Sequence, residues 1–184
     1  MPIYVFRSEG DDRPLPGAAR IAAILARLGL SPAEVRAEPA ETGTLRLSGE
    51  VPDAETHEKL LAALASLPGV ARLDDRLTER RAPSLLDTFG AFARLPPGAA
   101  ATDMAEEMVH EAAPGRRHAD PILGPAGSAL HVVQPGETLD DIARLHHGDA
   151  TAALRILSAN RPMLERAEAL APGMVLRVPP LPRG

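Results

Sequence analysis

One segment divides this chain. Residues 82–129 hold Pro83, Pro96, Pro97, Pro114, Pro121 and Pro125, with Ala/Gly runs such as Pro97-Gly98-Ala99-Ala100-Ala101. Forty-eight residues without structure do not fit inside one compact domain, so the segment reads as a linker. The 184 residues then resolve into an N-terminal segment at 1–16, a first module at 17–81, the linker at 82–129 and a second module at 130–184. Within the linker, 84–95 and 102–112 carry helical patterns. They read either as transient helices in a tether or as docking helices for a protein partner or a neighbouring copy, in which case both modules are adaptors in a larger assembly.

Each module has the pattern of a small α+β layer. In the first, Ile21, Ile24, Leu25 and Leu28 recur at i, i+3, i+4 and i+7, one face of a helix that Gly29 ends. Val35–Glu38 and Thr44–Ser48 alternate as strands around a hairpin at 41–43. Asp53 is an N-cap for a second helix with His57, Leu60, Leu61 and Leu64 on its face. Leu67-Pro68-Gly69 breaks that helix, and Val70–Leu77 returns as a third strand, giving αββαβ. In the second module His131–Gln134 is strand-like, and Thr138-x-x-Asp141 has the spacing of a capping box. A further helix runs from Asp149 to Asn160, and 173–179 is the last strand. The order is βααβ, with both helices expected against a two-stranded sheet.

Composition narrows the function classes. The only aromatics are Tyr4, Phe6, Phe89 and Phe92, so neither module as delimited has a platform for stacking bases or sugar rings. A net charge of −5, with 19 Arg and one Lys among the basic residues, draws in no nucleic acid. Without Cys there is no disulfide, thiolate metal site or Cys nucleophile. No apolar run reaches the ~20 residues that span a bilayer, and the start has no signal-peptide pattern. No membrane association and a cytoplasmic location are therefore expected. Hydrolase and nucleotide-binding motifs are missing, so no enzyme is expected. Glu106, Glu107, His110 and Glu111 read as a solvated face rather than a metal cluster.

Three blocks of the second module resemble a LysM domain: His131–Ala143, Ala159–Pro162 and Leu170–Pro179. Leu45–Val51 and Leu67–Leu77 resemble the marks of a BON domain. A BON-like module followed by a LysM-like module is similar to the bacterial potassium-binding proteins. That resemblance covers about two thirds of the chain and implies a protein that binds K⁺ selectively and responds to it by a change of shape, in sensing or buffering under osmotic or ionic stress. The chain departs from the family in its first six residues and in its much longer linker.

Potassium is large and weakly hydrated, and backbone carbonyls replace its water shell without calling for particular side chains. The family associates its ion cage with the BON module. The matching chain reversal here is 65–70, which makes Ala65, Leu67 and Val70 the candidate carbonyl ligands, with Asp74 and Asp75 adding a diffuse negative field. The plain alternative is a helix-to-strand turn with Gly69 left-handed. LysM domains generally bind N-acetylglucosamine polymers such as peptidoglycan. That resemblance implies a groove at Gly136, Thr138 and Leu139 on one side and Asn160, Arg161 and Pro162 on the other, although Asn160 itself reads first as a helix cap.

Overall fold

A computed structural model describes residues 2–7, 13–80 and 122–181. The expected linker helices, Phe89, Phe92 and the Glu106–Glu111 cluster lie outside the described residues. The described residues of both halves belong to one compact unit, and it is α+β.

The first half is built as β1 (Ile3–Val5), α1 (Ala18–Arg27), β2 (Val35–Glu41), β3 (Thr44–Val51), α2 (Ala54–Ala65) and β4 (Arg72–Glu79). The sheet order is β1-β4-β3-β2. β3 and β4 run parallel, joined by the α2 crossover, and the two outer pairs are antiparallel. Leu45, Leu47 and Leu73 on the central strands are fully buried. The α1 face read from the sequence, Ile21, Ile24 and Leu25, lies in the same core.

Two elements of this first half depart from expectation. The N-terminal segment, read as irregular, supplies the edge strand β1. Its side chains alternate: Ile3 and Val5 point to solvent, while Tyr4 and Phe6 enter the core and stack with ring centroids 6.3 Å apart. The core of the first module therefore holds two aromatics after all. Nothing local makes this strand; Tyr4 pairs with Leu73 across some seventy residues. The second departure is α2. From Leu60 to Ala65 every residue is buried, because one side of the helix meets the sheet and another meets the second module.

The second module contains β5 (Ile122–Leu123), β6 (Ala129–Val132), α3 (Leu139–His147), α4 (Ala153–Ala159) and β7 (Val175–Val178). β5 falls in the stretch read as linker and turns the expected two-stranded sheet into three antiparallel strands, ordered β5-β6-β7. The capping box is present: Thr138 Oγ1 accepts from the Asp141 N–H, and the Asp141 carboxylate accepts from the Thr138 N–H. Asp149 caps a short 3₁₀ turn, Ala150–Ala152, which leads into α4. Ile142, Ile156, Leu164 and Leu176 form an aliphatic core.

The two modules share buried surface. Leu130 and Val175 belong to the core cluster of the first module, with Ile122, Val132 and Met163 packed against it. Glu58 on α2 is fully buried at this junction. Its Oε1 accepts from the backbone N–H groups of Ala126 (2.8 Å) and Ser128 (3.0 Å), and its Oε2 from Arg177 Nε (2.6 Å). A buried carboxylate survives when it is paired and its lone pairs are used, as here. Ser66 Oγ accepts from the Val175 N–H at 2.8 Å, and Arg7 donates to the Gly173 carbonyl.

Candidate functional site

The turn after α2 is where the sequence placed its ion site. Ala65 closes the helix, Ser66 caps it, and Gly69 reverses the chain at φ +85°. Ala65, Leu67 and Val70 are all buried. The Val70 N–H donates to the Leu67 carbonyl at 3.2 Å, so that oxygen already has one partner and retains a second lone pair. A second stretch of chain crosses this turn. A Cβ built on Gly69 would lie 2.4 Å from the Pro14 carbonyl oxygen and 2.8 Å from that of Arg13. No side chain fits there. Two main-chain oxygens from residues 13–14 thus face the Gly69 backbone through the gap that glycine leaves. The sequence missed this contribution, because carbonyls carry no residue signature and Gly69 already had a sufficient reason as a turn former.

The donor set matters for the kind of cation. Among the described residues no group of three or more His, Asp or Glu side chains is arranged to hold a metal ion. Hard divalent ions prefer such carboxylate sets, whereas carbonyl oxygens suit a large monovalent ion. The expected field from Asp74 and Asp75 is spent elsewhere. Asp74 accepts from Arg46 Nε at 2.8 Å and pairs with Arg76 at 3.1 Å. Asp75 accepts from His57 Nε2 at 2.9 Å.

His57 itself is a buried, doubly engaged imidazole. Nδ1 faces Glu79 Oε1 at 3.2 Å, and Nε2 faces both oxygens of Asp75. Burial pushes its pKa down, but hydrogen bonds and charge from Asp75 and Glu79 outweigh burial and leave it raised. With a carboxylate facing each nitrogen, the doubly protonated ring finds an acceptor for both of its N–H groups, which is why its charged form is favoured. The pattern had shown His57 only as one member of a helix face.

The glycan residues named from the LysM resemblance are divided. Gly136 stands open, with nothing within 4 Å of an added Cβ. Thr138 is committed to the cap of α3, and Leu139 is buried in the aliphatic core. Asn160 is 6 % exposed and tied down on both ends of its amide. Nδ2 donates to the Ile156 and Arg177 carbonyls, and Oδ1 accepts from the Arg177 N–H. It is a strap between α4 and β7 as well as a helix cap. The Pro162 carbonyl accepts from Arg27 of α1 at 2.6 Å, and Met163 packs on the first core. The 160–163 turn is therefore engaged with the first module. A cleft beside it is lined by Lys59, Ser66, Asn160, Arg161, Met163 and Met174.

Residues 131–179 match the LysM domain model and form a LysM domain on the second half of an α+β chain. Over 137 residues the chain is 25 % identical to the potassium binding protein Kbp of Escherichia coli O6:H1, a match covering 74 % of this chain and 64 % of that protein. The chain thus spans less than two thirds of that relative's length. Both findings support the resemblance to bacterial potassium-binding proteins drawn from the sequence.

Proposed function

We propose that this chain is a potassium-binding protein, not an enzyme, and that it holds K⁺ with main-chain carbonyls at the Gly69 turn. Ala65, Leu67 and Val70 supply oxygens from the turn, and Arg13 and Pro14 supply them from the crossing segment. The observation that carries this reading is the pair of carbonyl oxygens within 3 Å of the position a Cβ would take on Gly69. The likeness to a protein named for potassium binding supports it independently. In this reading the chain acts in the cytoplasm as a sensor or buffer of K⁺ in ionic stress. Ion binding tightens the junction between the modules, because Ser66 within the turn is bonded to β7. Calorimetric titration of the full chain with K⁺, Na⁺ and Cs⁺, with scattering in parallel, tests it. Saturable heat and compaction with K⁺ but not Na⁺ are expected. No heat and no compaction at millimolar K⁺ overturn it.

The LysM match supports a second reading, binding of an N-acetylglucosamine polymer. The open turn at Gly136 favours it, and the engagement of Pro162 and Met163 by the first module weighs against it. Retention on insoluble peptidoglycan, compared with a bead control, decides between them. No described helix is long and apolar enough to cross a membrane.

A further inference from the structure

The second module carries a histidine pair that neither reading uses. His131 lies on β6 and His146 in the last turn of α3. His146 Nε2 stands 3.1 Å from His131 Nδ1, with the two rings edge to face at 5.1 Å between centroids. The other nitrogen of His131, Nε2, donates to Glu137 Oε2 at 2.9 Å. That same carboxylate oxygen accepts from the Gln134 N–H at 2.8 Å, so the turn before α3 fixes it in place. Because Glu137 accepts a hydrogen bond from Nε2–H, the tautomer protonated at that nitrogen presents its Nδ1 lone pair toward His146.

A hydrogen bond from His146 accounts for this contact when Nε2 of His146 carries its proton. In the other tautomer the two nitrogens are both acceptors, and a cation belongs between them. We propose that His131 Nδ1 and His146 Nε2 chelate one divalent transition-metal ion, with Glu137 as the carboxylate that orients His131. The spacing fits. With each nitrogen at the usual Zn–N distance of about 2.0–2.1 Å, a 3.1 Å separation closes an N–metal–N angle of about 100°. That lies between the octahedral and tetrahedral values. The carboxylate–histidine arrangement is the one that holds a metal-bound imidazole in its tautomer and raises its basicity. Water completes the coordination, since no third His, Asp or Glu converges on the pair among the described residues. His131 and Glu137 are mostly but not wholly covered, with side chains 12 % and 22 % exposed, which leaves a path for the ion. Imidazole donors select Zn²⁺, Cu²⁺ or Ni²⁺, and Mg²⁺ and Ca²⁺ do not compete.

The test uses the full chain without a polyhistidine tag, stripped with chelator, in constant K⁺. Zn²⁺ is titrated while the imidazole nitrogens are followed by NMR. The expected result is one saturable event that shifts His131 Nδ1 and His146 Nε2 and leaves His57 unmoved. His131→Gln and His146→Gln each abolish that event, His147→Gln retains it, and Glu137→Gln weakens it by about 10–100-fold. The wild-type NMR assignment decides the matter even if a variant fails to fold. No shift of the pair at millimolar Zn²⁺, or uptake that survives both histidine substitutions, overturns the proposal. The result is independent of whether K⁺ binds.

Discussion

The two glycine turns named for ligands differ in what surrounds them. Gly69 ends a helix buried on several sides, and the carbonyls of residues 13–14 sit against its Cα. Gly136 has the same left-handed sense, at φ +84°, but an added Cβ there would touch nothing within 4 Å. One turn is defined by other main chain, the other only by its own dihedral angles. A carbonyl cage for a large cation needs the first kind of site, where oxygens are preorganised by packing. An extended polymer needs the second, where a surface lies open to approach. The contrast therefore separates the two functional readings by physics rather than by family.

The largest effect comes from removing what clamps α2. Glu58→Ala leaves the Arg177 guanidinium and the N–H groups of Ala126 and Ser128 without their buried acceptor. Breaking one partner out of a buried pair costs about 3–5 kcal/mol, and the urea midpoint should fall accordingly. K⁺ affinity should fall with it, because the Gly69 turn is the end of the same helix. An unchanged midpoint would mean that the two modules do not share a cooperative unit.

Next is Gly69→Ala. The new methyl group meets the Pro14 and Arg13 oxygens well inside van der Waals contact, in a backbone conformation that L residues avoid. We expect a loss of about 2–4 kcal/mol and of the K⁺ titration heat. Thermal unfolding in K⁺-free buffer separates the two: the stability loss persists without the ion, and the ion-dependent gain seen in the wild type disappears. A variant that keeps its K⁺ heat would move the ion away from this turn.

Much of this scaffold could be read from the sequence, because the signals were local. Ile21, Ile24 and Leu25 mark α1 by period, Thr138 and Asp141 cap α3 by spacing, and Gly43 closes the β2–β3 hairpin. What could not be read depends on partners far along the chain. β1 is three residues whose strand character comes from β4, so Tyr4 and Phe6 looked peripheral and lie in the core. Glu58 has the look of a solvent-facing helix residue, and only β7 and the 124–128 turn make it a buried acceptor. The site followed the same rule. Ala65, Leu67 and Val70 came from a resemblance, while Arg13 and Pro14 appear only once the chain is folded, because main-chain oxygens are the same in every residue.

A smaller, pH-dependent effect should come from His57, which supports α2 from its first turns. Its folded pKa is raised above the unfolded value of about 6.5. The stability it contributes is therefore fully present below that value and is lost as pH rises through the raised folded pKa. The wild type should lose stability on going alkaline from about pH 6.5, and His57→Gln should flatten that slope. Parallel slopes in the two proteins would show that His57 is not the titrating group.

The smallest effect belongs to the open turn. Gly136→Ala forces an L residue to φ +84° but meets no neighbour, so the cost is the dihedral penalty alone, about 1 kcal/mol. The K⁺ titration should not change, because this turn shares no oxygen with the Gly69 site in the present reading. Its effect on peptidoglycan retention is the informative part. If polymer binds across this turn by backbone contacts, a methyl group on the exposed face reduces retention while stability falls only slightly. If retention is absent in the wild type and K⁺ binding is intact in the variant, the open turn has no ligand role. The left-handed glycine there would then serve only to bring β6 into the capped start of α3.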